Sequence, residues 1–139
     1  MLEEELKDVS VLQSDDQRLK KNEKLTKTKE FEQVFRQGRK KIGKFVALHY
    51  IYNGKDLNRV GVTVSKRVDK KAVTRNRLKR IFRDIYRTSK MAFPVGHDFV
   101  LRALPKSANA QYGELRYEIL SLAKSIRPET PSDRPAQGL

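Results

Sequence analysis

Ser65-Lys66-Arg67-Val68-Asp69-Lys70-Lys71-Ala72-Val73-Thr74-Arg75-Asn76-Arg77-Leu78-Lys79-Arg80-Ile81-Phe82-Arg83 carries nine basic residues and a single acid in nineteen positions. It leaves an alternating run, Val60, Val62, Val64, that reads as a strand over 59–65. It then enters residues 71–87, which hold no Gly or Pro and repeat Leu78, Ile81, Phe82 and Ile85 at i, i+3, i+4, i+7, the spacing of a helix with one buried stripe. With that stripe at zero and 100° per residue, Lys79, Arg83, Asn76, Arg87 and Arg80 fall between about 100° and 200° on one polar face. Arg75 and Arg77 flank the stripe, where their stems can pack while the guanidinium groups reach outward. A merely solvated face usually mixes acids into i,i+4 pairs, and this one largely does not.

Outward from this unit, helical and strand periods alternate. Thr28 is a candidate cap for a helix with Phe31, Val34 and Phe35 at i, i+3, i+4, and Gly38 a left-handed stop. Residues 44–52 read as a strand, Asn53-Gly54 as a turn, and 59–65 as its hairpin partner. A further strand spans 97–104, closed by Pro105, and a last helix spans 109–126 with Leu115, Ile119, Leu122 and Ile126 on one face. The order is α-β-β-α-β-α in one domain at 19–126. Residues 1–18 form an acidic arm expected to be poorly fixed, and 127–139 a tail with Pro128, Pro131 and Pro135 that holds too little apolar surface to order itself.

The whole chain has net charge +14, yet residues 1–17 sum to −5, so the remainder carries +19. Such a polycation calls for a partner that supplies negative charge in bulk: RNA, DNA or an anionic membrane. There is no cysteine, which excludes disulfides and thiolate metal sites. No apolar run approaches the ~20 residues of a membrane span and the acidic start lacks the basic opening of a signal peptide, so a cytoplasmic protein without a membrane partner is expected.

The run Val64-Ser65-Lys66-Arg67-Val68 leading to Arg75-Asn76-Arg77-Leu78-Lys79-Arg80 resembles the signature of the bacterial ribonuclease P protein component. Leu25 through Phe31, Val34, Phe35 and Gly38 resembles that family's first helix, and the likeness covers about three-quarters of the chain, from Leu19 to Ile126. The family often has a glycine where Asp69 stands and an aromatic near Leu48.

The resemblance implies a two-layer α/β (α+β) sandwich on a mixed sheet of about four strands, with a left-handed β-α-β crossover. Handedness rules alone would favour a right-handed one. It further implies a subunit that binds the catalytic ribonuclease P RNA and the 5′ leader of precursor tRNA, assisting endonucleolytic leader removal in tRNA processing. The implied RNA-contacting set is Lys66, Arg67, Lys70, Lys71, Arg75, Asn76, Arg77, Lys79, Arg80 and Arg83. Phe31, Phe35, Phe45, Val46 and Leu48 are the implied walls of a leader-binding cleft, although an i,i+4 Phe pair on a short helix also fits inward packing. Mg²⁺ would act through the RNA subunit, with neither a small-molecule substrate nor a metal site in the protein.

No catalytic residue is expected in the protein itself. Metal-dependent or acid-base hydrolysis needs clustered carboxylates or a histidine pair, and His49 and His97 lie on separate expected strands. Two alternatives stay open on the residues alone: a non-enzymatic, ribosomal-type RNA-binding protein, and a DNA-binding module that uses the basic helix.

Overall fold

The computed structural model describes residues 21–127; the acidic arm at 1–18 and all of the tail but Arg127 lie outside the described residues. Three α-helices and four strands follow in the order α1 (Thr28–Gln37), β1 (Arg39–Ile42), β2 (Val46–Tyr52), β3 (Arg59–Thr63), α2 (Ala72–Thr88), β4 (His97–Ala103) and α3 (Tyr112–Lys124). The strands form one mixed sheet in the order β1-β2-β4-β3, β4 running antiparallel to β2 and parallel to β3. The expected β2–β3 hairpin is therefore not formed: Asn53-Gly54 does turn the chain, with Gly54 at φ 73°, but β4 lies between the two strands. The parallel β3-α2-β4 unit takes its place, α2 serving as the crossover such a pair requires. The short basic strand β1, unread from its Arg-Lys-Lys-Ile sequence, completes the four and pairs with β2.

Period-two alternation gives the sheet two unlike faces. Val46, Leu48, Tyr50, Val60, Val62, Phe99, Leu101 and Ala103 point to one side and pack beneath α2 (Leu78, Phe82, Ile85, Tyr86) and α3 (Leu115, Ile119, Ala123). This is the main core and the two-layer sandwich. On the other side α1 brings Phe31 and Val34 onto Leu25 and Val100, with Phe35 and Ile51 at the margin.

Local chemistry sets the ends of α1. Its cap position is Lys27, one residue before Thr28, and the Glu30 carboxylate accepts the Thr26 and Lys27 N–H groups at 3.1 Å each. Burial alone would raise the Glu30 pKa, but those two bonds and the Arg59 guanidinium outweigh it and hold Glu30 below its ordinary value. Gly38 ends the helix in extended backbone, not the left-handed conformation expected. It is glycine because a Cβ there would sit 2.5 Å from the carbonyl oxygens of both Tyr50 and Val34. Gly61 answers a similar demand, since a Cβ would meet the Phe31 ring at 2.4 Å. The missing side chain lets α1 lie down on the sheet.

Candidate nucleic-acid interface

The loop from β3 to α2 is built to display charge. Ser65 O accepts the Val68 N–H at 3.0 Å, and buried Val68 anchors the loop while Lys66 and Arg67, at the two central positions of that turn, stay exposed. Asp69 Oδ1 accepts the Lys71 N–H at 2.8 Å, a side-chain-mediated turn into α2. Among the described residues no non-glycine residue has positive φ, so Asp69 stands where the family often has glycine without backbone strain. Arg75 reaches back from α2, its Nη1 donating to the carbonyls of Asp69 and Lys70 at 3.1 and 2.8 Å. The first turn of α2 holds no acid, so the partial positive charge of the helix start adds to Lys70 and Lys71.

Lys66, Arg67, Lys70, Lys71, Asn76, Arg77 and Arg80 are exposed, whereas Arg75 and Lys79 are half-buried. Arg77 lies on the opposite flank from Asn76 and Arg80, with its Nη2 3.3 Å from the Ala108 carbonyl. Arg83 departs from the expectation: it is buried, at 9 % exposure. The apolar stripe read from Leu78, Ile81, Phe82 and Ile85 underestimates the contact arc, because buried Tyr86 carries it to about 80° from Leu78, toward the side on which Arg83 lies. Arg87, from the same expected polar face, pairs with Asp84.

The implied cleft walls divide between the two faces. Val46 and Leu48 belong to the main core, fully buried under α2 and α3, and so do not line the α1 side. Phe31 is fully buried on Gly61 and cannot present a ring to a ligand. Phe45 is half-buried against the main core, with the Lys44 ammonium 5.2 Å above its ring. Its turn is held to α3 by Glu118, whose carboxylate accepts the N–H groups of Lys44, Phe45 and Val46 at 2.9, 2.7 and 2.7 Å. Phe35 alone of the five is half-buried at the margin of α1, its ring edge-on to His49 at 4.8 Å.

The residues that do share the α1 side follow from the strand register. One cross-strand row is Lys40, His49, Val100, Gly61, beneath Phe31 and Phe35; the next is Ile42, Ala47, Arg102, Thr63. Arg102 escaped the sequence reading, although it is the one cation inside an otherwise apolar strand end and alternation sets it opposite to Leu101. Its Nε donates to His49 Nε2 at 3.0 Å. Burial, with the Arg102 and Lys40 cations nearby, holds His49 at about 3, so the imidazole is neutral. At the other end of α1 the charge is paired internally. There Arg59 donates to Asp98 through Nε and Nη2 at 2.9 and 2.6 Å and to Glu30 through Nη1 at 2.8 Å, beside a cavity of about 410 Å³ that Lys24 and Lys55 also line.

His97 points into the main core, stacked on Phe99 with Nδ1 3.1 Å from the Val95 carbonyl, on the opposite face from His49. The two histidines therefore cannot act as a pair. Among the described residues no three His, Asp or Glu side chains converge to hold a metal, and no helix is long and apolar enough to cross a membrane.

Among the described residues, a mixed four-stranded sheet, a basic helix crossing between its parallel strands and an α-helix on the far face define a class of small α+β folds with a cationic loop–helix unit. The chain belongs to the ribonuclease P protein family: that family's model, described as Ribonuclease P, matches residues 19–127. Curated relatives named ribonuclease P protein component include one from Petrotoga mobilis, 36 % identical over 114 residues, covering 79 % of this chain and 96 % of that protein. Another, from Alkaliphilus metalliredigens, is 31 % identical over 109 residues, covering 78 % and 97 %. The solved structure of the RNase P protein from Thermotoga maritima matches with a TM-score of 0.70 at 29 % identity, covering 76 % of this chain and 98 % of that one. A Staphylococcus aureus RNase P protein shares the fold, with a TM-score of 0.71 at 21 % identity over 81 % of this chain and 96 % of its own. Membership removes the ground for the ribosomal-type and DNA-binding alternatives.

Proposed function

We propose that this chain is the protein subunit of a ribonuclease P ribonucleoprotein and assists removal of the 5′ leader from precursor tRNA. The exposed groups of the β3–α2 unit, Lys66, Arg67, Lys70, Lys71, Asn76 and Arg80, bind the catalytic RNA. The α1 side of the sheet, from Phe35 to Arg102, takes the unpaired leader. Guanidinium and ammonium groups at this spacing meet successive phosphates, and Asn76 adds a donor and an acceptor for sugar or base edges. Mg²⁺ held mainly by the RNA supplies the hydrolytic chemistry; the protein screens phosphate repulsion and favours precursor over product, because only the precursor has a leader to grip. A cytoplasmic site of action follows from that substrate.

The observation that carries this reading is the contiguity of the display: one loop and the first half of one helix expose Lys66, Arg67, Lys70, Lys71, Asn76 and Arg80, five of them cations, next to the sheet face on which α1 lies. Reconstitution with a ribonuclease P RNA at low Mg²⁺ tests it. Leader removal should require both components, and activity of the polypeptide alone, or no gain over the RNA alone, would refute it.

A further inference from the structure

We propose that residues 1–17 act as a tethered polyanion that occupies the Lys66–Arg80 display until RNA displaces them. The proposal rests on the reading of that display as the RNA contact and adds a regulator of the same surface.

The charge of the chain is segregated. Glu3, Glu4, Glu5, Asp8, Asp15 and Asp16 stand against Lys7 alone in residues 1–17, while the rest of the chain carries +19. This acidic block lies outside the part of the chain that the family shares, which begins at residue 19. Lys66, Arg67, Lys70, Lys71 and Arg80 are exposed, and among the described residues none of them has a carboxylate partner. Acids of the domain are engaged elsewhere: Glu30 and Asp98 with Arg59, Asp84 with Arg87, and Glu23 with Lys90. Asp69, within the loop itself, accepts the Lys71 backbone N–H. Like charges gathered this way repel one another, and a linked run of carboxylates relieves that repulsion. The acidic block also joins the domain on the side of the display. Leu25 N donates to Val60 O at 3.0 Å and Lys24 bridges to Val60, so the chain enters along the β3 edge of the sheet, and β3 runs on into the cationic loop. Val60 to Ser65 spans about 17 Å of extended chain. Asp16 stands six residues before Asn22, a reach of up to about 20 Å, and Glu3 to Glu5 extend far enough for Arg80. Lys40 and Lys44, exposed cations of β1 and the turn after it, lie at the opposite edge of the sheet. Occupation by the acidic block lowers affinity for every RNA by one factor. A tightly bound catalytic RNA stays in place and weakly held strands are shed.

The test uses the full chain and carbodiimide coupling, which joins a carboxylate to a lysine amine only where the two touch, read by peptide mass spectrometry. Without RNA, carboxylates of residues 1–17 should couple to Lys66, Lys70 or Lys71, and adding a ribonuclease P RNA should abolish these links. In a mixture of isotope-labelled and unlabelled chain, both ends of each link should carry the same label. A full-length variant with the six acids neutralised (Glu3→Gln, Glu4→Gln, Glu5→Gln, Asp8→Asn, Asp15→Asn, Asp16→Asn) should bind an unstructured RNA oligonucleotide about ten-fold more tightly at about 50 mM salt, the order expected when a tethered competitor is removed. Its salt dependence should be steeper than that of the wild type, with the gain gone at high salt. Links confined to Lys40, Lys41 or Lys44, or links between differently labelled chains, would overturn the inference. So would a gain in affinity with no link to the display in the wild type, since the effect would then be one of overall charge. Absence of links while RNA still shields Lys66, Lys70 and Lys71 from acetylation would sink this proposal alone. Links that persist with RNA bound would sink the reading of the display as the RNA contact.

Discussion

The two faces of the sheet are built to different ends. Under α2 and α3, three strands contribute alternate apolar residues to one continuous core. Under α1 the cluster comprises Leu25, Phe31, Val34 and Val100, and beside it stand a neutral histidine and a cation. The first face supplies cohesion and orients α2 so that its N-terminal half projects charge. The second carries a smaller apolar cluster, with Phe35, Ile51 and Arg102 half-buried beside it and Lys40 and Ile42 exposed at the β1 edge.

The comparison breaks most visibly in the core. Phe82→Ala should cost about 4 kcal/mol and Phe35→Ala, at the margin of the other face, about 1 kcal/mol, both read from urea unfolding midpoints. Equal losses would mean that α1 is as integral to cohesion as α2. Glu118→Ala removes the acceptor of three N–H groups at a part-solvated turn and should cost about 2 kcal/mol, with hydrogen exchange rising at Lys44, Phe45 and Val46 and little elsewhere.

His49 sharpens the contrast through pH. Its folded value of about 3 lies below the ordinary 6.5, so between these limits the unfolded chain binds a proton that the folded state excludes. Stability is therefore full above about pH 6.5 and falls as pH drops, by up to about 1.4 kcal/mol per unit. Unfolding at pH 7 and pH 5 should show this loss in the wild type and a smaller one in His49→Gln. The smallest effect on stability belongs to the display itself: Lys70→Ala or Arg80→Ala should shift it by less than about 0.5 kcal/mol.

The helices were legible because their apolar spacing reports which side is buried, and the strands β2, β3 and β4 because alternation does the same. Alternation says which residues share a face of one strand and nothing about which strand lies alongside. β3 carried a turn signal pointing back to β2, and its actual partner, β4, is contributed later in the chain. The cleft residues failed for a related reason: alternation groups Val46 with Leu48 without saying which side they take, and both turn to the main core, with Phe45 just before β2 packed against it, so that Ala47, His49 and Ile51 stand on the α1 side. The loop–helix display was readable since each exposed cation in it follows from chain order and a 100° step. Arg83 was not, because burial of Tyr86 widens the contact arc beyond the aliphatic stripe.

The central claim is that the β3–α2 unit works by neutralising RNA phosphates. It is tested most directly by the salt dependence of the chain's affinity for a ribonuclease P RNA, in the wild type and in a Lys70→Ala, Lys71→Ala, Arg80→Ala triple variant. The account expects the slope of log affinity against log salt to shrink by about two with the thermal midpoint unchanged. An unaltered slope in a folded variant would contradict it.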